Sequence, residues 1–447
     1  MTVFAGLFDL SKWSPPRFLV CGFAVIILLG GLVLSLPVSS AQGTSLRYLD
    51  AVFTATSATC VTGLVVVDTG TYYSIFGQVV LLLLIQIGGL GFMTMATLFA
   101  LVLRKRISLR ERMILQEAMN QPSMQGIVQL IRRVFRYSVA IEAAGALLFT
   151  LRWSLDMPIG RAAYFGVFHA VSFFNNAGFD LFGEYHSLTT YAEDPMVNLI
   201  AMALIVLGGL GFVVLADLLE YPKSRCLSLH SKIVLCMTGI LIVSGAIAVF
   251  AFEYGNTLGP LGGTGKILAS FFQSVTARTA GANTVDISAL HQATLFFVIF
   301  LMFVGAAPGS TAGGIKVTTF ATLVGGVHAM VRGKDDIVFF RYRLARGRLL
   351  KALTITMLAM ALIAAVTMAL CVTENAAFIR VFFETVSAFA TVGLSTGLTP
   401  DLSDAGRVLI ACMMFAGRLG PLTLAYALGP KSEKELYRYP EGKLIIG

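Results

Sequence analysis

Long apolar runs alternate along this chain with short, more polar stretches that each end in a glycine, and the alternation occurs four times. Runs such as 18–36, 75–103 and 196–219 reach the roughly 20 apolar residues that a membrane-crossing helix needs. The pattern predicts a first helix in each unit at about 18–36, 134–151, 233–252 and 352–372. It predicts a second at about 75–103, 196–219, 293–330 and 408–428. Between each first and second helix lies a segment too short and too polar at its ends to span.

These intervening segments align without a gap. They run from Phe53 to Gly63, Phe168 to Gly178, Phe271 to Gly281 and Phe383 to Gly393. The glycines are 115, 103 and 112 residues apart. A second motif follows each: Gly88-Gly-Leu-Gly-Phe92, Gly208-Gly-Leu-Gly-Phe212, Gly305-Ala-Ala-Pro-Gly309 and Gly417-Arg-Leu-Gly-Pro421, at offsets of 25, 30, 24 and 24 residues. Self-similarity at one spacing marks a repeat architecture. The expected fold is an all-α membrane protein of four helix–pore-loop–helix repeats around a pseudo-fourfold pore. Eight spanning helices and four re-entrant half-helices build it. The repeats divide the chain at 1–103, 104–219, 220–331 and 332–447, the second and fourth opening on basic cytosolic loops.

Composition agrees with lipid as the solvent. Hydrophobic residues make up 57% and charged residues 13%, about half the charge of a soluble domain. The net charge of +9 does not imply nucleic acid. With eight crossings and both termini inside, 24 of the 33 Lys and Arg fall on inside segments and 6 outside, while Arg278, Lys316 and Arg418 lie at membrane depth. That asymmetry is the positive-inside rule. The six cysteines show no metal-ligand spacing and no disulfide framework. Trp13, Pro15 and Pro16 precede the first run without a cleavage pattern, so the first helix is expected to remain as an anchor.

A dehydrating cation needs oxygens in place of its water shell, and rings of backbone carbonyls supply them. Aiming successive carbonyls at one axis requires backbone angles that glycine tolerates. One glycine per loop at one register fits that need. A half-helix before each loop presents a partly negative C-terminus to a cation. The candidate ion-binding residues are therefore Cys60, Val61, Thr62 and Gly63; Asn175, Asn176, Ala177 and Gly178; Arg278, Thr279, Ala280 and Gly281; and Ala390, Thr391, Val392 and Gly393. Ser57, Thr59, Thr62, Ser172, Thr276, Thr279, Ser387 and Thr391 in and beside the loops are placed to brace the turns or cap carbonyls. A lone glycine or Ser/Thr in an apolar run usually serves helix packing or its own helix; four copies at one register reverse that reading. The second motif reads as close helix packing or a hinge. Arg278 is expected behind its loop, bonded to carbonyls or to Glu384.

Two features read as gates. Arg418 stands in mid-span, where a charge is functional by default; the plainer reading pairs it with a carbonyl or with Glu142. Gly305, Pro308, Gly309, Ser310, Thr311, Gly313, Gly314 and Lys316 interrupt the second helix of the third repeat. The interruption is no phosphate loop, because Gly309 and Gly314 are followed by Ile315 rather than Lys. The half-helix beyond it leads to the basic stretch 332–351, long enough to touch a protein below the membrane. His169 and His186 lack partners at catalytic spacing, and no enzyme motif is present.

These residues resemble the Trk/Ktr/HKT superfamily of cation transporters, nearest to the membrane subunits of bacterial Ktr potassium uptake systems. The resemblance rests on Ser14-Pro-Pro16, Thr62-Gly-Leu64, Asn175-Asn-Ala-Gly-Phe179, Arg278-Thr-Ala-Gly281, Pro308-Gly-Ser-Thr-Ala-Gly-Gly-Ile-Lys316 and Gly417-Arg-Leu-Gly-Pro421. It implies K⁺ as the transported ion, Na⁺ as a modulator and no organic cofactor in this chain. It also implies a homodimer with one pore per subunit in membrane lipid. A separate cytosolic ring of RCK-type nucleotide-binding subunits (KtrA-like or KtrC-like) would regulate it, in a bacterial plasma membrane with both termini cytoplasmic. Glycine at all four positions resembles the potassium-selective members; plant relatives with serine in the first loop favour sodium. Without further N-terminal spans, the chain is expected on the Ktr rather than the Trk branch. Ala282 departs from the aromatic that commonly follows the third glycine, and is expected to loosen packing there. A Na⁺-coupled K⁺ symporter is the competing mechanism.

Overall fold

The computed structural model describes residues 14–102, 108–118 and 126–428. The expected inside charges at 12, 104–106 and 431–443, the last residue of the expected helix 75–103, and both chain ends lie outside the described residues.

The four first helices are α1 (Pro15–Leu34), α6 (Ile127–Trp153), α10 (Leu229–Glu253) and α14 (Arg346–Thr373). All four are long and apolar enough to cross a membrane. The last three begin several residues earlier than the apolar runs, because polar and basic residues such as Gln129, Arg132, Lys232 and Arg348 continue the helix beyond the apolar stretch. Each first helix packs against the half-helix that follows it. The half-helices are α2 (Tyr48–Thr59), α7 (Ile159–Phe174), α11 (Gly263–Thr276) and α15 (Phe378–Ala390).

The second helices are not the continuous rods that the hydrophobic runs predict. The first divides into α3 (Ile75–Leu90) and α4 (Phe92–Val102), with a further helix, α5 (Leu109–Ala118), after it. The second divides into α8 (Pro195–Gly209) and α9 (Phe212–Ser224), bent by 103°. The third divides into α12 (Gln292–Phe303) and α13 (Val317–Val331) around the long interruption. The fourth divides into α16 (Asp404–Leu419) and α17 (Pro421–Leu428), bent by 94° up to Ala427. Counting each bent pair as one crossing gives up to six apolar spans among the described residues. The breaks at Gly91, Gly211 and Gly420 share one backbone geometry, with φ of 84°, 87° and 86°. That region is closed to most side chains, so in the first, second and fourth repeats the last glycine of the second motif is where the helix turns.

The preceding glycines of the motif allow close approach. A Cβ on Gly88 would run into the carbonyl of Thr59, one on Gly208 into that of Phe174, and one on Gly417 into that of Phe389. Each carbonyl lies four residues before its loop glycine, so the second helix grips the end of its own half-helix. Gly305 departs: it faces Gly313 of the interruption instead. Packing and hinge, the two readings of this motif, are both present.

Around the molecule the repeats follow a cyclic order. The second helix of each repeat packs on the half-helix of the next: α3 on α7, α8 on α11, α12 on α15, and α16 back on α2. Two ion pairs seal that last junction, Arg47–Asp404 at 2.7 Å and Arg407–Asp50 at 2.5 Å. Acids at the ends of two first helices cap the second helices. Glu253 accepts from the Thr294 hydroxyl and the His291 N–H, and Glu374 accepts from the Ser403 hydroxyl and N–H. Among the described residues, one element is not helical. Strands β1 (Ile337–Phe339) and β2 (Tyr342–Leu344) form an antiparallel hairpin in the basic stretch 332–351. Its turn residues Phe340 and Arg341 have positive φ without being Asn or Gly, which is why no turn signal announced it.

Gly417→Ala should lower the thermal stability of the detergent-solubilised protein by about 1–3 kcal/mol, the range for overpacking a tight contact. Gly239→Ala, where nothing lies within 4 Å, should leave it unchanged or slightly raised. A melting curve of each variant by intrinsic fluorescence checks the contrast.

Candidate functional site

The four glycine loops meet in a closed ring. A Cβ built on Gly63 would lie 2.5 Å from the carbonyl oxygen of Ala177 in the second loop. One on Gly178 would meet the carbonyl of Ala280, one on Gly281 that of Val392, and one on Gly393 that of Thr62. Each glycine thus faces the residue before the next glycine, and the fourth returns to the first.

The loop glycines have φ of 95°, 69°, 78° and 91°, as the need for aimed carbonyls predicts. A second position was not foreseen. Val61, Asn176, Thr279 and Thr391, each two residues before its glycine, have φ of 58°, 59°, 81° and 52°. Residues in this region cost of order 1–3 kcal/mol each unless the surroundings fix them, and β-branched Val and Thr are unusual there. Positive φ at alternate positions turns neighbouring peptide planes in different directions. No residue type marked these positions, so only the register of the repeat pointed to them.

The flanking hydroxyls brace the loops in two ways. Ser57 and Ser387 accept the N–H of Gly63 and Gly393 at 3.0 and 3.2 Å. Ser172 donates to the carbonyl of Phe179 at 2.7 Å, and Thr276 donates to that of Ala282. Among the described residues the hydroxyls of Thr59, Thr62 and Thr391 have no hydrogen-bond partner, so these do not brace the turns as expected. Ala282 is fully buried, and its carbonyl is the one held by Thr276.

The loops differ behind the ring. Cys60 and Ala390 are fully buried. Arg278 turns behind its loop as expected, yet not to Glu384. Its Nη1 reaches the carbonyl of Thr238 at 3.5 Å, beside a cavity of about 10 Å³ shared with Gly209 and Ala306. Glu384 instead accepts from Ser395, from the N–H of Thr396 and from Thr399, at 2.6, 2.9 and 2.8 Å, fixing the chain just after the fourth loop. The Asn176 amide and the Thr279 hydroxyl are 3.2 Å apart, tying the second loop to the third; turned so that its nitrogen donates to the carbonyl of Phe174, Asn176 accepts from that hydroxyl.

The interrupted segment between α12 and α13 packs against the second and fourth loops of this ring. Its ends are joined by Gly305 N–H to the carbonyl of Ile315 at 2.8 Å. Ala307 donates to the carbonyl of Gly209 at 3.0 Å, and Phe212 donates to that of Gly309 at 2.9 Å. The Thr311 hydroxyl reaches the carbonyls of Gly208 and Phe174 at 3.1 and 3.2 Å. Pro308 packs its carbonyl against Gly211, and Ser310 donates to the carbonyl of Ala307. Gly313 and Gly314 lie against Thr391 and Ala390 of the fourth loop. Lys316 donates to the segment's own carbonyls, at 2.7 Å for Ala312.

Arg418 pins this arrangement. It donates to the carbonyl of Thr311 and to those of Gly88 and Gly89. Glu142, its suggested acidic partner, is bonded elsewhere, to Gln86 and Asn175. A guanidinium presents five donors in a rigid fork, and here three carbonyls from two repeats accept from it. His169 is caged by Trp153, Phe165, Phe173 and Phe182, and its ring bonds only backbone atoms.

Residues 23–434 match the cation transport protein family TrkH. The chain is 43% identical over 438 residues to "Ktr system potassium uptake protein B" of Bacillus subtilis (strain 168), covering 98% of this chain and 97% of the relative. It is 39% identical over 443 residues to the protein of the same name in Vibrio alginolyticus, covering 98% and 96%. It is 38% identical over 444 residues to "Potassium/sodium uptake protein NtpJ" of Enterococcus hirae, covering 98% of each. The fold is similar to the crystal structure of the potassium transporter TrkH from Vibrio parahaemolyticus, with a TM-score of 0.73, 16% identity, and coverage of 94% of this chain and 86% of that one. With nearly its whole length matched by one family and by these relatives, the chain belongs to the TrkH family of cation transport proteins.

Proposed function

We propose that this protein takes up potassium across the bacterial plasma membrane through one carbonyl-lined selectivity filter, and that the segment 305–316 gates it. One observation carries the reading: the four glycine loops close a ring in which every glycine faces the carbonyl of the next loop. Such a ring matches the need of a dehydrated cation for oxygens from all sides. K⁺ as the transported ion rests on the names of the Bacillus and Vibrio relatives. Each bent or interrupted pair counts as one crossing in this reading. The membrane is then crossed eight times, with four re-entrant half-helices, one repeat per quarter of the pore and both termini cytoplasmic.

The regulated state follows from the same reading. The chain works as a homodimer in lipid, with a separate cytosolic ring of RCK-type nucleotide-binding subunits. "Ktr system" in the relatives' names supports a partnered assembly. The segment 305–316 lies across the path, held by Arg418, and the partner acts through α13. A Na⁺-coupled symporter is the second reading, favoured by the name of the Enterococcus relative. Uptake that saturates and vanishes without a sodium gradient would select it.

Gly63→Ser adds a Cβ at positive φ against Ala177. The expected outcome is discrimination of K⁺ over Na⁺ reduced by about tenfold, the scale of 1–3 kcal/mol of backbone strain, with normal expression. Unchanged selectivity in both Gly63→Ser and Gly281→Ser, read by ion flux in liposomes, defeats the filter reading.

Arg418→Ala frees the carbonyls of Thr311, Gly88 and Gly89 and removes a charge whose repulsion of cations is strong at low dielectric. Flux without any partner should rise severalfold. A variant that fails to fold or insert points to a purely structural arginine.

Deletion of residues 307–311 removes the bonds to Gly209, Gly208 and Phe212. Potassium flux should increase and its dependence on the partner should weaken. A deletion protein that folds, dimerises and keeps normal partner-controlled flux shows the interruption to be a passive break.

A further inference from the structure

A carboxylate stands in the apolar middle of α6. Glu142 is 8% exposed. Among the described residues no cation lies within ion-pair distance of it. Its partners are two side-chain amides. Gln86 Nε2 donates to both carboxylate oxygens, at 3.1 and 3.2 Å, and Asn175 Nδ2 donates to one at 3.1 Å. Asn175 Nδ2 also donates to Gln86 Oε1 at 2.9 Å, which closes a triangle.

Both amides belong to the machinery already described. Asn175 is three residues before Gly178, and its Oδ1 lies against the α-carbon of Gly89, where a Cβ would collide with it. Gln86 is on α3, less than one turn before the carbonyls of Gly88 and Gly89 that receive Arg418. The second loop and the last turn of α3 are therefore set by one acceptor group. Both Glu142 oxygens accept in this arrangement, which draws both amide nitrogens inward and leaves the Asn175 oxygen facing Gly89. An amide at 142 would present N–H as well as C=O. One neighbouring amide would have to turn, moving either the second loop or the end of α3.

We propose that Glu142 is a selectivity-determining positioning residue, which fixes through Asn175 the aim of the second loop and through Gln86 the turn of α3 that Arg418 grips. The proposal rests on the reading of the ring as an ion filter. Its test uses the full chain in liposomes, with Rb⁺ standing in for K⁺, and reads the ratio of Rb⁺ to Na⁺ uptake. That ratio does not depend on how much protein folds, so a merely structural role leaves it alone.

E142Q should lower the ratio by about tenfold, the scale of leaving a buried donor unpaired. The double variant E142Q with Q86E returns one carboxylate and one amide to the pair with their places exchanged, and should restore most of it. G178S, run in parallel, tests the ring reading alone. If G178S lowers the ratio while E142Q leaves it unchanged, Glu142 is only a structural brace and the proposal fails. If neither variant moves the ratio, the filter reading fails and the proposal with it. Should E142Q not insert, E142D withdraws the carboxylate from both amides by one methylene. A lowered ratio there supports the proposal, and an unchanged one overturns it.

Discussion

The absence of room for a Cβ at four points in the ring is the constraint on which the other features depend. Each loop glycine faces a carbonyl of its neighbour, and each has a backbone angle that side chains resist. Such crowding requires four loop ends to arrive together, at one depth, with their peptide planes already turned. The half-helices deliver the ends, the first helices hold the half-helices, and the second helices lock each half-helix to its neighbour. The glycines of the second motif repeat the solution one layer lower, where helix backbone meets half-helix carbonyl.

The third repeat departs from its siblings where the departure has a use. In the other three, a helix breaks sharply at a single glycine and resumes. Here twelve residues, 305–316, replace the bend, and the backbone groups of Ala307, Gly309 and Thr311 bond outside their own repeat. Partners come from the second repeat directly and from the first through Arg418. A half-buried guanidinium held by carbonyls, with no acid among its described bonds, is a costly arrangement. It also depends on geometry alone, because any shift of Thr311 or of the end of α3 opens donors that nothing else fills.

Much of this was legible in the sequence, and for a physical reason. Glycines at positive φ and glycines under carbonyls have no substitute, so the four aligned Gly63-type positions announced the ring, and Gly88, Gly208 and Gly417 announced the packing layer. The interruption was legible from Pro308 and the glycines around it. Positions whose demands many residues meet gave no such signal. Val61 and Thr391 hold strained angles because their surroundings impose them, and the half-spans around Gly91 and Gly420 read as continuous apolar helix because hydropathy is blind to a bend. Long-range pairing was the least legible. Arg278, Arg418, Glu142 and Glu384 were each seen as notable charges, but two pairings suggested among them do not form. Backbone carbonyls and neutral amides, present everywhere in the sequence, took the places expected of acids and bases.

Fusing four loops into one polypeptide has a consequence for inheritance. In a ring of four identical subunits, one altered codon changes every quadrant at once, and the damage multiplies. Here a codon change at Gly63 leaves the quadrants of Gly178, Gly281 and Gly393 intact. Each quadrant is therefore free to change alone, and Cys60, Asn175, Arg278 and Ala390 occupy one equivalent position with four different chemistries.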